Sequence, residues 1–453
     1  MNLRKGGRLN FTLTRGLAGT RTGVLGLTTV GNLLVRTGSS ILLTRLLAPS
    51  EFGIVGIITS VFFAVALVTD IGFQDFLVRH DRSEERHFRD VIWTIHATRG
   101  LIIFCAIALL SPVIAWALGK SVIAAPLALA SLIFAINGVS SLSLMTALRH
   151  DKARELSLLD FALQCFQTVV GVLLAIWWRN AWAIIAAMLI QSGVRTILSY
   201  RFFADSSHSP ARDPIIAREF FKFSRFVMAS SALTLVIGQS DKLVLGRVFT
   251  LGEFGLYAIA MSIVSAPVGF AESYVNRIIF PICSKTWREA SVEIASVYYG
   301  VKRHTSALYA VACGGLIGSA NLVVALLYDQ RYAAAATFIS WLMLATALRL
   351  PNVAVAQLMV AIGHVERTMH LVIVRVMWVL TAIPVGLALI GPMGVVAAIG
   401  LVEVPAMLFS WFLLRRYHIL RVKEEALFLG MIAAGAVIGW VGSDFALRLL
   451  PLN

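Results

Sequence analysis

Eight basic side chains fall inside long apolar stretches of this sequence, where a cation needs an anion or water. Arg36, Lys242, Arg349 and Arg375 lie well inside such stretches; Arg99, Arg195, Arg225 and Arg277 lie nearer their ends. A charge at the centre of a bilayer costs about 3 kcal/mol on insertion scales, so it faces a cavity or a partner. Arginine suits an anionic cargo, because its planar fork pairs with phosphate oxygens and it stays charged. Arg36, Arg349 and Arg375 are therefore candidates for lining an anion path, with a buried ion pair as the alternative at each. Asn352 joins them, three residues after Arg349 and on the same helical face. Lys242 joins them too, although its neighbour Asp241 or a carboxylate on another helix is its simplest partner. For Arg99, Arg195, Arg225 and Arg277, snorkelling to the interface is the simpler expectation.

The acidic candidates are Asp70, Glu272, Asp241, Asp160 and Glu403. A carboxylate within a membrane can couple movement to protons, or it can lock two helices together. Asp160, Gln164 and Gln167 form an i, i+4, i+7 stripe that faces either a wet cavity or a neighbouring helix. No cofactor or metal motif is present; Cys105, Cys165, Cys283 and Cys313 sit in or beside apolar segments without a CxxC pair and read as small apolar fillers.

The elements that must position these residues are membrane helices. Apolar residues make up 58% of the chain, charged residues 14%, and mean hydropathy is +0.82, whereas a soluble domain carries about 25% charged residues. Spans of the required ~20 residues are expected near 22–47, 52–78, 90–117, 121–148, 155–177, 181–203, 219–247, 254–282, 303–328, 332–362, 368–390 and 393–415. A thirteenth apolar stretch follows at about 426–441. The fold expected is all-α and integral to the membrane: a basic lead-in (1–21), a six-helix bundle (22–203), a polar linker (204–218), a second six-helix bundle (219–415) and a C-terminal helix region (416–453). Pro267, Pro351, Pro384 and Pro405 interrupt helices of the second bundle and are either hinges or static bends.

The net charge of +15 follows the membrane rather than nucleic acid. With the N-terminus inside, the inner segments hold 25 Lys/Arg and the outer turns six, which fits a cytoplasmic N-terminus. There is no aromatic-interleaved basic patch and no soluble domain to carry one, so no nucleic-acid partner is expected.

The second half repeats the first. At an offset of 202 residues, LLTRLLAPSEFGIVGIITSVFFA (42–64) aligns without gaps to VLGRVFTLGEFGLYAIAMSIVSA (244–266), with eight identities over the 22 positions from Leu43; chance in this composition gives about two. In the same register Asp70 matches Glu272 and Gln74 matches Asn276. Asp70 and Glu272 are thus equivalent carboxylates toward the cytoplasmic end, suited to structural pairing or to a gate ion pair that breaks and reforms; Asp241 is a further gate or coupling candidate. Six helices return the chain to its starting side, so the repeats are parallel, related by a pseudo-two-fold along the membrane normal. That is a transporter architecture.

The turn LLAPSEFG, its echo VFTLGEFG, the stretch DIGFQDFLVR and the loop RHDRSEERHFRD resemble the polysaccharide-exporter branch of the multidrug/oligosaccharidyl-lipid/polysaccharide flippase superfamily, over roughly residues 20–415. The likeness is to Wzx-type and colanic-acid-exporter-type proteins. The resemblance implies a V-shaped pair of bundles in the bacterial inner membrane, with a cavity that opens alternately to each face. It implies an oligosaccharide repeat unit on undecaprenyl pyrophosphate as cargo. Membrane lipid, a polysaccharide polymerase and a chain-length regulator would be its partners in building surface polysaccharide. The alternative is an ion-coupled small-molecule exporter of the same fold, against which the EFG repeat and the number of intramembrane arginines weigh. An enzyme is not expected: the outer turns are a few residues long, hold no acidic pair, and the histidines are scattered.

Overall fold

The computed structural model describes residues 21–69, 72–147, 152–201, 207–289 and 291–449. These are helical, and no strand occurs among them. Thirteen long helical segments cross the molecule: α1 (Arg21–Leu46), α2 (Pro49–Val68), α3 (Arg86–Ala117), α4 (Ser121–Gly138), α5 (Ala153–Trp178), α6 (Ala181–Arg201), α7 (Pro214–Val248), α8 (Leu251–Glu289), α9 (Ile294–Gly318, continued at a 71° bend by Ala320–Leu327), α10 (Ala335–Ala361), α11 (Val365–Ile390), α12 (Pro392–Arg416) and α13 (Val422–Leu449). Ten are long and apolar enough to cross a membrane, eleven with the bent α9. The other two, α1 and α7, are the first helices of the two repeats, and they carry Asn32 and Arg36, and Gln239, Asp241 and Lys242.

Local sequence sets the helix starts. Pro49 occupies the first turn of α2, where its missing N–H costs nothing. Thr250 and Glu253 form a capping box at α8, with Thr250 N–H donating to Glu253 Oε2 at 2.8 Å. The repeat-equivalent Glu51 acts differently: its Oε2 accepts from Ala181 N at 2.7 Å and so caps the start of α6. The second span is shorter than the expected 52–78. It ends at Val68, and Gly72 in the left-handed region (φ 70°) begins a separate short helix, Phe73–Arg79.

The bundles meet most closely where α2 lies along α8. The first helix of the second half, α7, also reaches across. Its Ile216 and Phe220 are fully buried in an apolar cluster with Phe73, Phe76 and Phe88 of the first half. The linker before it is docked on α3: Asp90 Oδ1 accepts from Ser209 N at 3.1 Å, and Thr94 Oγ1 accepts from Ala211 N at 3.0 Å.

The additional helix α13 is packed onto α9. Gly314 and Gly318 of α9 lie against the Ile432 and Ala436 carbonyls, and Gly435 and Gly439 of α13 against those of Val311 and Gly315; a β-carbon at any of these would collide with backbone. Such close approach is how membrane helices gain packing without a hydrophobic drive. At the linker end the pair is joined by a buried salt bridge, Lys302 Nζ to Glu425 Oε1 at 2.7 Å, enclosed by Tyr298, Tyr299 and Phe428. Large apolar side chains such as Leu109, Trp116 and Leu389 point outward, as a lipid-facing surface requires.

Candidate functional site

Two polar cavities lie among the helices, and their charge differs. The first, of about 730 Å³, is walled by α1, α4, α5 and α6 of the first bundle and by α8 of the second. Three guanidinium groups reach it, Arg36, Arg195 and Arg277, against one carboxylate, Asp160. Arg195 donates to Asp160 at 3.1 Å. Among the described residues no carboxylate pairs with Arg36 or Arg277, so the cavity carries excess positive charge. Its remaining polar groups are amides and hydroxyls, including Asn32, Gln164 and Gln191, and the Oδ1 of Asn32 is buried with no partner among the described residues.

The stripe on α5 thus meets a cavity through Asp160 and Gln164. Arg195 and Arg277 line it as well, where the sequence suggested snorkelling. Arg277 stands seven residues after Phe270 and eleven after Ala266, so helical spacing carries it on the same cavity-facing side of α8, within a π-helical turn, Val275–Ile279.

The second cavity, of about 620 Å³, lies among α7, α8, α10, α11 and α12. Arg349, Arg375, Asp241 and Glu403 line it, and its charges are matched. Glu403 is 1% exposed and accepts from three directions: Arg375 Nη2 at 2.7 Å, Asn352 Nδ2 at 2.7 Å and Arg349 Nη1 at 3.4 Å. Arg349 Nη2 also donates to Glu272 Oε1 at 2.6 Å, tying α10 to α8. Ser410 Oγ donates to the side-chain Oδ1 of Asn352 at 3.2 Å. Two part-buried cations are thereby satisfied by two carboxylates, of which Glu403 is buried, the condition under which such charges are tolerated.

The sequence-derived candidates therefore fall into different settings. Arg36 faces the cationic cavity. Arg349 and Arg375 line the neutral one, each bonded to carboxylate. Asn352 is fully buried behind Glu403 and lines neither cavity. Lys242 lines neither, and its Nζ lies 3.4 Å from both Gln239 Oε1 and the Gly238 carbonyl on its own helix. Asp241 is buried at the wall of the neutral cavity; Tyr257 O–H donates to its Oδ2, and its Oδ1 has no partner among the described residues. Glu272 pairs with Arg349; its repeat-equivalent, Asp70, lies outside the described residues. Arg99 donates to the Thr69 carbonyl at 2.8 Å and lines a separate cavity beside the linker with Arg212 and Asp213; Arg225 lines neither of the two cavities above. Glu403, one of the five acidic candidates read from the sequence, is the hub that sequence reasoning did not single out.

Two parallel six-helix bundles enclosing polar cavities define the fold. It is shared with a solved lipid II flippase, MurJ, in an inward closed conformation, at TM-score 0.72 and 11% identity over 92% of each chain. It is shared also with a multidrug resistance MATE family transporter of the MOP superfamily in an inward-facing conformation, at TM-score 0.62 and 15% identity over 85% of this chain and 94% of that one. At these identities the likeness is one of fold. The chain belongs to the polysaccharide biosynthesis protein family, whose model matches residues 42–337. Among curated proteins it is similar to the teichuronic acid biosynthesis protein TuaB of Bacillus subtilis (strain 168), 23% identical over 290 residues, 62% of this chain and 58% of that protein. It is similar also to the succinoglycan biosynthesis transport protein ExoT of Rhizobium meliloti (strain 1021), 24% identical over 244 residues, 53% of this chain and 48% of that protein. The chain thus spans about half the length of the curated relatives it matches.

Proposed function

We propose that the protein is a flippase of the bacterial cytoplasmic membrane that moves a lipid-linked oligosaccharide from the inner to the outer leaflet by alternating access. The observation that carries this reading is the first cavity, where Arg36, Arg195 and Arg277 outnumber Asp160 among amides and hydroxyls. Guanidinium groups match a pyrophosphate, and amides match sugar hydroxyls. Undecaprenyl pyrophosphate is the carrier that this chemistry and the family support best, and the N-terminus is cytoplasmic by the excess of basic residues on that side. A polysaccharide polymerase and a chain-length regulator would act on the product.

The neutral cavity has a different task in this reading. Arg349, Arg375, Asn352 and Glu403 hold α10, α11 and α12 together, while the Arg349–Glu272 pair, whose Glu272 is half-exposed, is the contact that breaks as α8 moves. Asp241, with one carboxylate oxygen lacking a partner among the described residues, is the coupling carboxylate. Asp70 is its companion on the first repeat, at the position equivalent to Glu272. Lys242 stays near the path as a neutraliser of Asp241 during movement.

Deleting the gene in its host tests the reading. Lipid-linked repeat units should accumulate on the inner leaflet, protected from reagents added outside intact cells, and surface polysaccharide should disappear. Persistence of the polysaccharide, with the intermediate accessible from outside, would refute it.

A further inference from the structure

Gly53 and Gly255 are equivalent residues of the two EFG turns, and they meet across the pseudo-two-fold axis. A β-carbon at Gly53 would overlap the Leu251 carbonyl, and one at Gly255 would overlap the Pro49 carbonyl. The start of α2 and the start of α8 therefore touch backbone to backbone, at the end of the molecule opposite the linker. The same end carries a second matched pair of contacts. Lys120, in the turn between α3 and α4, donates to the Gly246 carbonyl near the end of α7 at 2.6 Å. Arg331, in the turn between α9 and α10, donates to the Thr44 carbonyl near the end of α1 at 3.4 Å. Thr44 and Gly246 are equivalent at the 202-residue offset, so each half sends a cation from its own turn to the same carbonyl on the other half. Both acceptors lie in the last turn of a helix, where carbonyls lack helical partners and the dipole is negative. Tyr332 O–H adds a bond to the Leu47 carbonyl at 2.8 Å.

We propose that these contacts form one two-fold-related seal: the Gly53–Gly255 backbone seam and the Lys120 and Arg331 clamps close the outer ends of the two bundles and part together to open the cationic cavity to that side. The EFG repeat is kept in both halves because each glycine makes room for the other half's backbone. The seal consists of backbone contact, cation-to-carbonyl bonds and one buried ring from the second half, Tyr332, set edge-on to Phe52. Ser265, on the cavity wall, stands 14 residues from Leu251 along α8, or ~21 Å of helix rise, so the seam lies between it and the outer face. The proposal rests on the alternating-access reading, but its test needs no substrate.

The test uses the full chain with its four cysteines replaced by alanine and a single reporter, Ser265→Cys. A membrane-impermeant maleimide is applied in turn to intact cells and to inside-out vesicles, so that the seam face is reached in one of the two. The parent should label slowly from the seam face. Gly53→Val with Gly255→Val, and separately Lys120→Met with Arg331→Met, should each label at least tenfold faster from that face. Should the glycine variant fail to accumulate, the Lys120/Arg331 variant, which leaves the seam's packing intact, decides the matter. An unchanged seam-face rate in that variant at parental protein level would overturn the seal, as would equal rates from both faces in the parent. Failure here leaves the lipid-orientation result in the deletion strain untouched, so the two readings fail separately.

Discussion

Arg375 Nη2 donates to Glu403 at 2.7 Å in a site where the two side chains are 13% and 2% exposed. These residues are 28 positions apart in sequence and belong to α11 and α12, and the same carboxylate also receives Asn352 and Arg349 from α10. A charge so enclosed is a commitment: it is tolerated only while its partners stay.

Removing one partner should therefore be costly. Glu403→Gln or Arg375→Met leaves an uncompensated buried charge and should destabilise the protein by about 3–5 kcal/mol, whereas the double variant should recover most of the loss. Thermal unfolding of the purified protein in detergent, followed by tryptophan fluorescence, reads this directly. Additive loss in the double variant would show that the pair does not act as a unit.

Arg36 and Arg277 should behave in the opposite way. Neither is paired with a carboxylate among the described residues, so Arg36→Ala and Arg277→Ala should leave the melting temperature unchanged. Each should weaken retention of a pyrophosphate-linked polyprenyl lipid about tenfold, equivalent to ~1.4 kcal/mol. Arg36→Lys should fall between, keeping the charge but losing the planar fork. Arg349→Ala, which strips Glu272 and Glu403 of a partner, should instead lower stability. Lipid retained by the purified variants, quantified against protein, separates the two behaviours.

The Lys302–Glu425 bridge makes a prediction about α13. With both side chains 5% exposed, Lys302→Met alone should destabilise by about 3–5 kcal/mol and should expose the α9–α13 seam to protease before the rest of the chain. Lys302→Met with Glu425→Met should restore protection. Limited proteolysis in nanodiscs with mapping of the first cut distinguishes loss of α13 docking from general unfolding.

His208 should make stability depend on acid. The Leu142 N–H donates to its Nε2 at 3.2 Å, which makes that nitrogen an acceptor and leaves the proton on Nδ1, 3.6 Å from Asp90. Burial pushes the His208 pKa below its usual value, with Arg89 and Arg86 acting in the same direction and Asp90 opposing them. The unfolded chain takes up its proton near pH ~6.5 while the folded chain still resists, so the unfolded state binds more protons and stability declines as pH falls below that value. The contribution is fully present above it. Melting temperatures from about pH 7.5 to about 5 should fall more steeply in the parent than in His208→Gln.

Much of the architecture was legible in the sequence. Runs of apolar residues long enough for a bilayer leave no alternative to helices, because backbone groups in lipid must be satisfied within the segment. The 202-residue repeat fixed the parallel relation of the halves by counting helices, and its EFG turns reappear as the seam where α2 meets α8. Arg36 was legible as a cationic side chain that must face a cavity or an ion pair, and the structure places it on the cationic cavity.

The roles of the other charged residues were decided only in three dimensions. Whether an intramembrane arginine serves a cargo or a carboxylate depends on what stands within about 3 Å of it, and Arg349 finds Glu272 and Glu403 at 77 and 54 positions' remove. The packing of α8 against the first bundle put Arg277 into the cationic cavity, and the docking of α5 on α6 put Arg195 beside Asp160. Composition determines that this chain lives in a membrane and must hide its charges. Packing alone determines which of those charges cancel one another and which are left facing the cavity.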